Sequence, residues 1–155
     1  MNKPIDTIKL IGEITVELID KKTKKVVLRK KFKNALIDSG AFYIMTLIDS
    51  GGDALSGHPA WKVVNLFDSN KAFIKSITGS WGTKTDTGSE YKNTLEAEDT
   101  SSDEYTVEYL ELDEAECTDY VSCGRLAQHI TPVQKTADKI LKVTWTVRVP
   151  YYARP

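Results

Sequence analysis

Hydrophobic and polar residues alternate near the start of the chain with the period of two that is typical of a half-buried β-strand. Ile14, Val16 and Leu18 alternate with acidic and threonine residues. After a polar turn over 20–24, a second alternating run extends over 26–32. Two such runs joined by a short polar loop predict a β-hairpin.

One segment has the pattern of a short helix. Asp38 or Ser39 can cap a helix N-terminus, and the residues over 41–48 are mostly apolar. Two glycines at 51–52 then provide a stop signal. We therefore expect one helix, over about 40–49, and no other.

The middle of the chain predicts further strands. Runs over 61–67 and 72–77 flank a polar turn and indicate a second hairpin, and additional strands are predicted over 105–112 and 124–130. On the first of these, Tyr105, Val107 and Tyr109 are expected to share a face. Between the second hairpin and the strand over 105–112, the stretch over about 79–103 is rich in Gly, Thr, Ser and Asp, and we interpret it as a long polar loop.

The last strand has the clearest pattern. Leu141, Val143, Trp145 and Val147 alternate with lysine and threonine, and Pro150 ends the run because proline cannot donate to a strand ladder. We expect this strand to be central in a sheet and to be followed by a tail over 150–155.

Several strands with little helix favour a mainly β fold, an antiparallel β-sandwich, jelly-roll-like or barrel-like domain with one short helix. The 155 residues suit a single β domain over 1–155, and 41% hydrophobic with 28% charged residues indicates a globular chain. The net charge of −1 gives no general attraction to nucleic acid or anionic membranes. No apolar run approaches the roughly 20 residues of a membrane helix, and the start lacks a secretory signal.

Candidate catalytic residues are few. The chain has two histidines, His58 and His129, and no serine lies in a nucleophile-elbow motif, although a nucleophile–histidine pair stays open. Cys117, Cys123 and His129 lack the spacing of a zinc site. The acidic residues over 90–119 lack the glycine and the ligand spacing of a calcium loop. We therefore predict no catalytic, cofactor or metal site and no enzyme. A disulfide between Cys117 and Cys123 is sterically possible across their short loop, but free thiols are more common in a reducing cytoplasm.

Charge is segregated along the chain. The segment 21–33 is strongly basic and the segment 90–119 strongly acidic. Both are interpreted either as solvated surface or as complementary patches between copies of the protein. Nucleic-acid binding by the basic segment is not expected because it lacks interleaved aromatic residues. The interface candidates are Lys21, Lys22, Lys24, Lys25, Trp81, Tyr151, Tyr152 and Arg154.

Two motifs resemble small virion proteins of tailed bacteriophages, of the head-decoration and tail-accessory kind. The segment Phe32-Lys33-Asn34-Ala35-Leu36-Ile37-Asp38-Ser39-Gly40 resembles their N-x-(I/L)-x-x-x-G segment after a hairpin. The strand Leu141-Lys142-Val143-Thr144-Trp145-Thr146-Val147 resembles their closing L-x-(V/I)-T-W-x-(V/I) strand. The match covers the first third and the last tenth of the chain.

This resemblance implies a non-enzymatic structural protein, made in the host cytoplasm and located in the virion as a capsid decoration, cement or tail-accessory protein. It implies partners among copies of itself and other virion proteins, such as the major capsid protein or tail proteins, with no cofactor and no membrane. The alternative is a carbohydrate- or receptor-binding module at a tail tip, in which exposed Trp61, Trp81, Tyr91 or the Tyr151–Tyr152 pair stacks on sugar rings. A small enzyme is the third hypothesis.

Overall fold

The computed structural model describes residues 11–35, 61–83, 85–120 and 126–150. These residues form nine β-strands and, within those ranges, no helix. The strands are β1 Ile11–Asp20, β2 Val26–Ala35, β3 Val63–Phe67, β4 Phe73–Trp81, β5 Thr85–Asp86, β6 Glu90–Asp99, β7 Tyr105–Asp113, β8 Leu126–Lys135 and β9 Lys139–Pro150.

All strand pairs are antiparallel, in the order β2-β1-β9-β6-β4-β3-β7-β8, with β5 beside β6. The two ends of this sheet approach each other, since Lys30 Nζ on β2 donates a hydrogen bond to the Pro132 carbonyl on β8 at 3.0 Å. The expected mainly β, barrel-like antiparallel fold is confirmed. The predicted helix over 40–49 and the tail over 151–155 lie outside the described residues.

The core lies between the two halves of the sheet. Trp145 on β9 is fully buried, and it is directly opposite Ile14 on β1 and Leu95 on β6. These three side chains pack against apolar residues of β3, β4, β7 and β8, including Leu66 and Leu110. The final strand is therefore central, as its alternation predicted.

The prediction of a long loop over 79–103 was wrong. That stretch contains the end of β4, the short β5 and all of β6, and every residue of β6 is paired with β9. The buried positions of β6 are Asn93, Leu95, Ala97 and Asp99, of which only two are apolar. Alternation of hydrophobic residues was therefore too weak to reveal the strand.

The second half of the sheet departs from simple alternation at β7. The register between β7 and β8 shifts between Val107 and Tyr109. Val107 consequently lies in the core with Leu110, whereas Tyr109 stacks on the exposed His129. A β-bulge thus separates side chains that the sequence pattern placed on one face. Pro132 is tolerated in β8 because β8 is an edge strand.

Strand β4 connects the two halves of the sheet. Its residues 73–78 pair with β3, whereas Gly79, Ser80 and Trp81 pair with β6. A Cβ atom at Gly79 would lie 2.8 Å from the backbone oxygen of Glu96, a distance that real Cβ contacts essentially never show. Glycine is therefore required at the point where β4 changes partner.

We expect Gly79→Ala to lower the free energy of unfolding by about 1–3 kcal/mol, because the added methyl group forces β4 away from β6. Gly82→Ala is the matched control, since its Cβ would meet the Thr94 oxygen at an ordinary 3.5 Å. Urea denaturation of both variants measures the difference. Equal stability of the two variants would contradict this role for Gly79.

Candidate functional site

The outer surface of β2, β1, β9 and β6 presents side chains in registered rows. On β1, the buried Ile14, Val16 and Leu18 alternate with side chains that point away from the core. Directly opposed residues in antiparallel strands share a face, so the pairing registers place outward side chains of all four strands side by side. We call this surface the striped face. It comprises Arg29, Lys31 and Lys33 on β2, Glu13, Thr15 and Glu17 on β1, Lys142, Thr144 and Thr146 on β9, and Thr94, Glu96 and Glu98 on β6.

The first row of the striped face alternates in charge. It runs Arg29, Glu17, Lys142, Glu98 across the four strands, which reads basic, acidic, basic, acidic. Arg29 donates two hydrogen bonds to Glu17 Oε2, from Nη2 at 2.8 Å and from Nε at 3.0 Å. The Arg29 side chain is still 56% exposed, so much of its surface is available to a partner.

The second row carries opposite charges at its two ends. It runs Lys31, Thr15, Thr144, Glu96, with two uncharged residues in the middle. Lys31 is exposed, and the Glu96 side chain is 58% exposed, with Oε2 3.6 Å from Lys142 Nζ. Cross-strand neighbours of opposite charge favour this register, as expected for pairs on one sheet face.

The third row completes the pattern. It runs Lys33, Glu13, Thr146, Thr94, and the hydroxyl groups of its two threonines lie 3.1 Å apart. Taken as columns, the striped face is basic on β2, acidic on β1, basic on β9 and acidic on β6. In the first two rows, each charged residue on one side of the midline between β1 and β9 therefore has a residue of opposite charge at the mirror-image position on the other side.

The interface candidates from the sequence lie elsewhere. Lys22, Lys24 and Lys25 are exposed in the turn between β1 and β2, whereas Lys21 Nζ donates to the carbonyl of Ser101 at 3.1 Å. Trp81 is partly buried, and its Nε1 donates to the Trp61 carbonyl at 2.9 Å. Tyr151, Tyr152 and Arg154 lie outside the described residues. The striped face was missed because its rows depend on strand register, which alternation does not specify.

Part of the acidic segment is neutralised inside the molecule. Lys75 Nζ lies 3.2 Å from Asp99 Oδ2 and 2.8 Å from Asp103 Oδ2, at the turn between β6 and β7. The buried Lys135 donates to the carbonyls of Ser101 at 2.7 Å and Asp103 at 2.8 Å. Lysines from distant parts of the chain thus hold this turn, which the sequence alone placed in an acidic surface patch.

Asp99 is the centre of that turn. The Tyr105 hydroxyl donates to Asp99 Oδ2 at 2.6 Å, and the Ser101 backbone N–H donates to Oδ1 at 3.0 Å. Burial alone would raise the pKa of Asp99, but the hydrogen bonds from Tyr105, Ser101 and Lys75 outweigh it and hold this pKa well below its usual range. Burial and the Asp99 carboxylate in turn raise the pKa of Tyr105 above its usual range.

Aromatic side chains form a second cluster, at the bulge of β7. The rings of Tyr109 and His129 stack with centroids 4.5 Å apart, and Tyr120 meets Tyr109 edge-on at 4.9 Å. Lys71 Nζ lies 5.5 Å from the centre of the Tyr109 ring. The His129 side chain is 60% exposed, with Nε2 3.4 Å from a carboxylate oxygen of Glu108. A partly exposed aromatic surface with charged neighbours is suited to stacking on a ligand.

The cysteine expectation needs correction. Cys117 takes part in a disulfide rather than holding a free thiol. The only other cysteine of the chain, Cys123, lies outside the described residues. His58, one of the two histidines considered for nucleophile–histidine chemistry, also lies outside them.

Comparison with known proteins adds no assignment. No family model, no curated protein and no solved structure matches this chain. Over the residues that the structure describes, no helix has the length and apolar character needed to span a membrane.

We expect Asp99→Asn to lower the free energy of unfolding at pH 7 by about 1.5–3 kcal/mol, because its hydrogen bonds are to a charged group. The folded-state pKa is depressed, so the wild-type carboxylate stabilises the fold above the unfolded value of about 4 and loses this effect as pH falls below it. The difference between variant and wild type should therefore shrink below about pH 4.

The control for this experiment is Glu98→Gln, which alters the neighbouring exposed position of β6. It should change stability little at any pH. Urea denaturation of the three proteins between pH 2 and pH 8 makes the comparison. A constant difference between Asp99→Asn and wild type across that range would refute the linkage.

Proposed function

We propose that this protein is a non-enzymatic structural protein of a tailed-phage virion that assembles symmetrically with copies of itself through the striped face. The observation that carries the self-assembly is the opposite charge of the two halves of that face. The virion location rests on the resemblance of two motifs to those of head-decoration and tail-accessory proteins. Its further partners are then other virion proteins, such as the major capsid protein or tail proteins.

The charge pattern fits one particular symmetry. A two-fold axis in the plane of the striped face, parallel to the strands and between β1 and β9, places β2 of one copy on β6 of the other. This axis places each row of one copy opposite the same row of the other copy. In the first row Arg29 then meets Glu98 of the second copy, and Glu17 meets Lys142 of the second copy. A two-fold interface requires this kind of self-complementary surface.

The second row supports the same arrangement. Lys31 of one copy meets Glu96 of the other at both ends of the row, and threonine meets threonine in the middle. A two-fold axis perpendicular to the strands would instead place β2 on β2 and β6 on β6, with like charges in contact. Electrostatic complementarity therefore selects one geometry and rejects the other.

The expected affinity of an isolated pair is modest. Exposed ion pairs contribute about 0–1 kcal/mol each and are screened by salt. A polar interface of this kind gains strength when several copies are held on one particle, because each further contact is then intramolecular. The proposal therefore predicts salt-sensitive association in solution and firmer binding on an assembled particle.

A carbohydrate- or receptor-binding module of a tail tip is the second candidate. The observation that favours it is the aromatic cluster of Tyr109, Tyr120 and His129 beside Lys71. Trp61 does not serve this purpose because its side chain is 1% exposed. A glycan array separates the candidates, since saturable sugar binding lost in Tyr109→Ala supports the module and its absence supports the structural role.

Charge reversal on the striped face tests self-assembly. Lys31→Glu and Glu96→Lys should each weaken self-association about tenfold or more, because each creates two like-charge contacts in the symmetric pair. An equimolar mixture of the two variants should recover association, because the added acidic side chain of one variant then meets the added basic side chain of the other, and the unchanged Glu96 meets the unchanged Lys31. Sedimentation velocity at low and high salt measures all three samples.

The matched control is Lys62→Glu, an exposed lysine just before β3 and outside the striped face. It should associate like wild type. A monomeric wild type at high protein concentration, or a mixture that does not recover, would refute the interface. Mass spectrometry of purified phage particles tests the virion location, where a fixed copy number is expected and complete absence would contradict it.

A further inference from the structure

An apolar row lies at one end of the striped face, next to the turn between β1 and β2. Ile19 on β1 is directly opposite Val26 on β2 and Ile140 on β9. Ile19 and Ile140 are each two positions from the first charged row on their own strands, so their side chains point away from the core. Neither isoleucine belongs to the core cluster, which agrees with this direction. We call Ile19, Ile140, Val26 and Val27 the apolar row.

A β-bulge in β2 turns one of these side chains outward. The register of β1 and β2 shifts between Leu18 and Ile19, so that Val26 is opposite Ile19 and Val27 is the extra residue. In an unbroken ladder Val27 would be opposite Ile19, and Val26 would then point toward the core. The bulge instead leaves both valines on the outer surface, where Val26 is 42% exposed and Val27 is 55% exposed.

This exposure distinguishes the two valines from the other apolar residues. Among the residues that the structure describes, Val26 and Val27 are the only exposed large hydrophobic residues. Single exposed apolar residues are common, whereas contiguous apolar surface bordered by polar residues is typical of interaction sites. Bulges are also common where a strand re-aims a side chain for function. The exposed valines therefore indicate a contact surface at this end of the striped face.

The two-fold arrangement inferred for the striped face brings the apolar rows of two copies together. Because each row faces the same row of the other copy, Ile19 of one copy meets Ile140 of the other. Val26 and Val27 then lie over the end of β6 of the second copy, beyond Glu98. Charged side chains border the row on both sides, in the first charged row and in the lysines of the turn between β1 and β2. An apolar centre with a polar border is the usual composition of a protein interface.

We propose that the apolar row joins the striped face in the contact between two copies and supplies the part of their affinity that salt does not screen. This inference rests on the self-assembly proposed above and assigns part of its affinity to Val26, Val27 and Ile19. Salt weakens exposed ion pairs, whereas sulfate salts strengthen the burial of apolar surface. Association should therefore keep a salt-resistant part that depends on the apolar row.

The test is sedimentation velocity of the full chain across a NaCl series and an ammonium sulfate series. Val26→Thr/Val27→Thr keeps the β-branched shape and replaces one methyl group of each valine with a hydroxyl group. It should weaken self-association about tenfold at high NaCl concentration, because four valines of the symmetric pair are changed. It should also lose the strengthening by ammonium sulfate. Lys31→Glu should weaken association mainly at low salt and keep that strengthening.

Two variants serve as controls. Val27→Ile retains the apolar surface and should associate at least as tightly as wild type. Thr106→Val adds an exposed methyl group on β7, outside this face, and should associate like wild type. Melting temperatures check that each variant is folded, and Val27→Thr alone replaces the double variant if that variant fails to fold.

The outcomes separate this inference from the assembly function. A threonine variant that associates like wild type at every salt concentration, while Lys31→Glu is weakened, overturns the role of the apolar row and leaves assembly through the charged rows intact. A wild type that is monomeric at every salt concentration overturns both.

Discussion

The pairing of β9 with both β1 and β6 is the constraint on which the rest of the structure depends. It buries Trp145 between Ile14 and Leu95 and builds the core from the inward side chains of three adjacent strands. The same pairing fixes which outward side chains are neighbours, because a shift of one residue would exchange the two faces. Core packing and surface charge pattern are therefore set by one register.

That register changes the meaning of the charge segregation along the chain. Basic residues of β2 lie beside acidic residues of β1, and Arg29 pairs with Glu17 rather than with the distant acidic segment. The acidic segment is partly internal, since Asp99 accepts hydrogen bonds from Tyr105 and is paired with Lys75. Charges that look like two large patches in the sequence become a finer alternating pattern on the folded surface.

The two halves of the sheet use polar residues differently. The striped face is partly exposed, and its charges alternate in sign across the four strands. Asn65 is buried on the other half, and its Oδ1 atom has no hydrogen-bond donor there, which costs far more than in water.

The sequence by itself determined the mainly β class, the two hairpins and the central position of β9, because strong alternation of apolar residues reports which side of a strand is buried. It missed β6, whose inward positions include Asn93 and Asp99, and it misplaced Tyr109, because a bulge leaves no mark in the alternation. Only the tertiary structure decided the rows of the striped face. Alternation specifies the face of a residue but not its cross-strand partner, which is set by long-range pairing and packing.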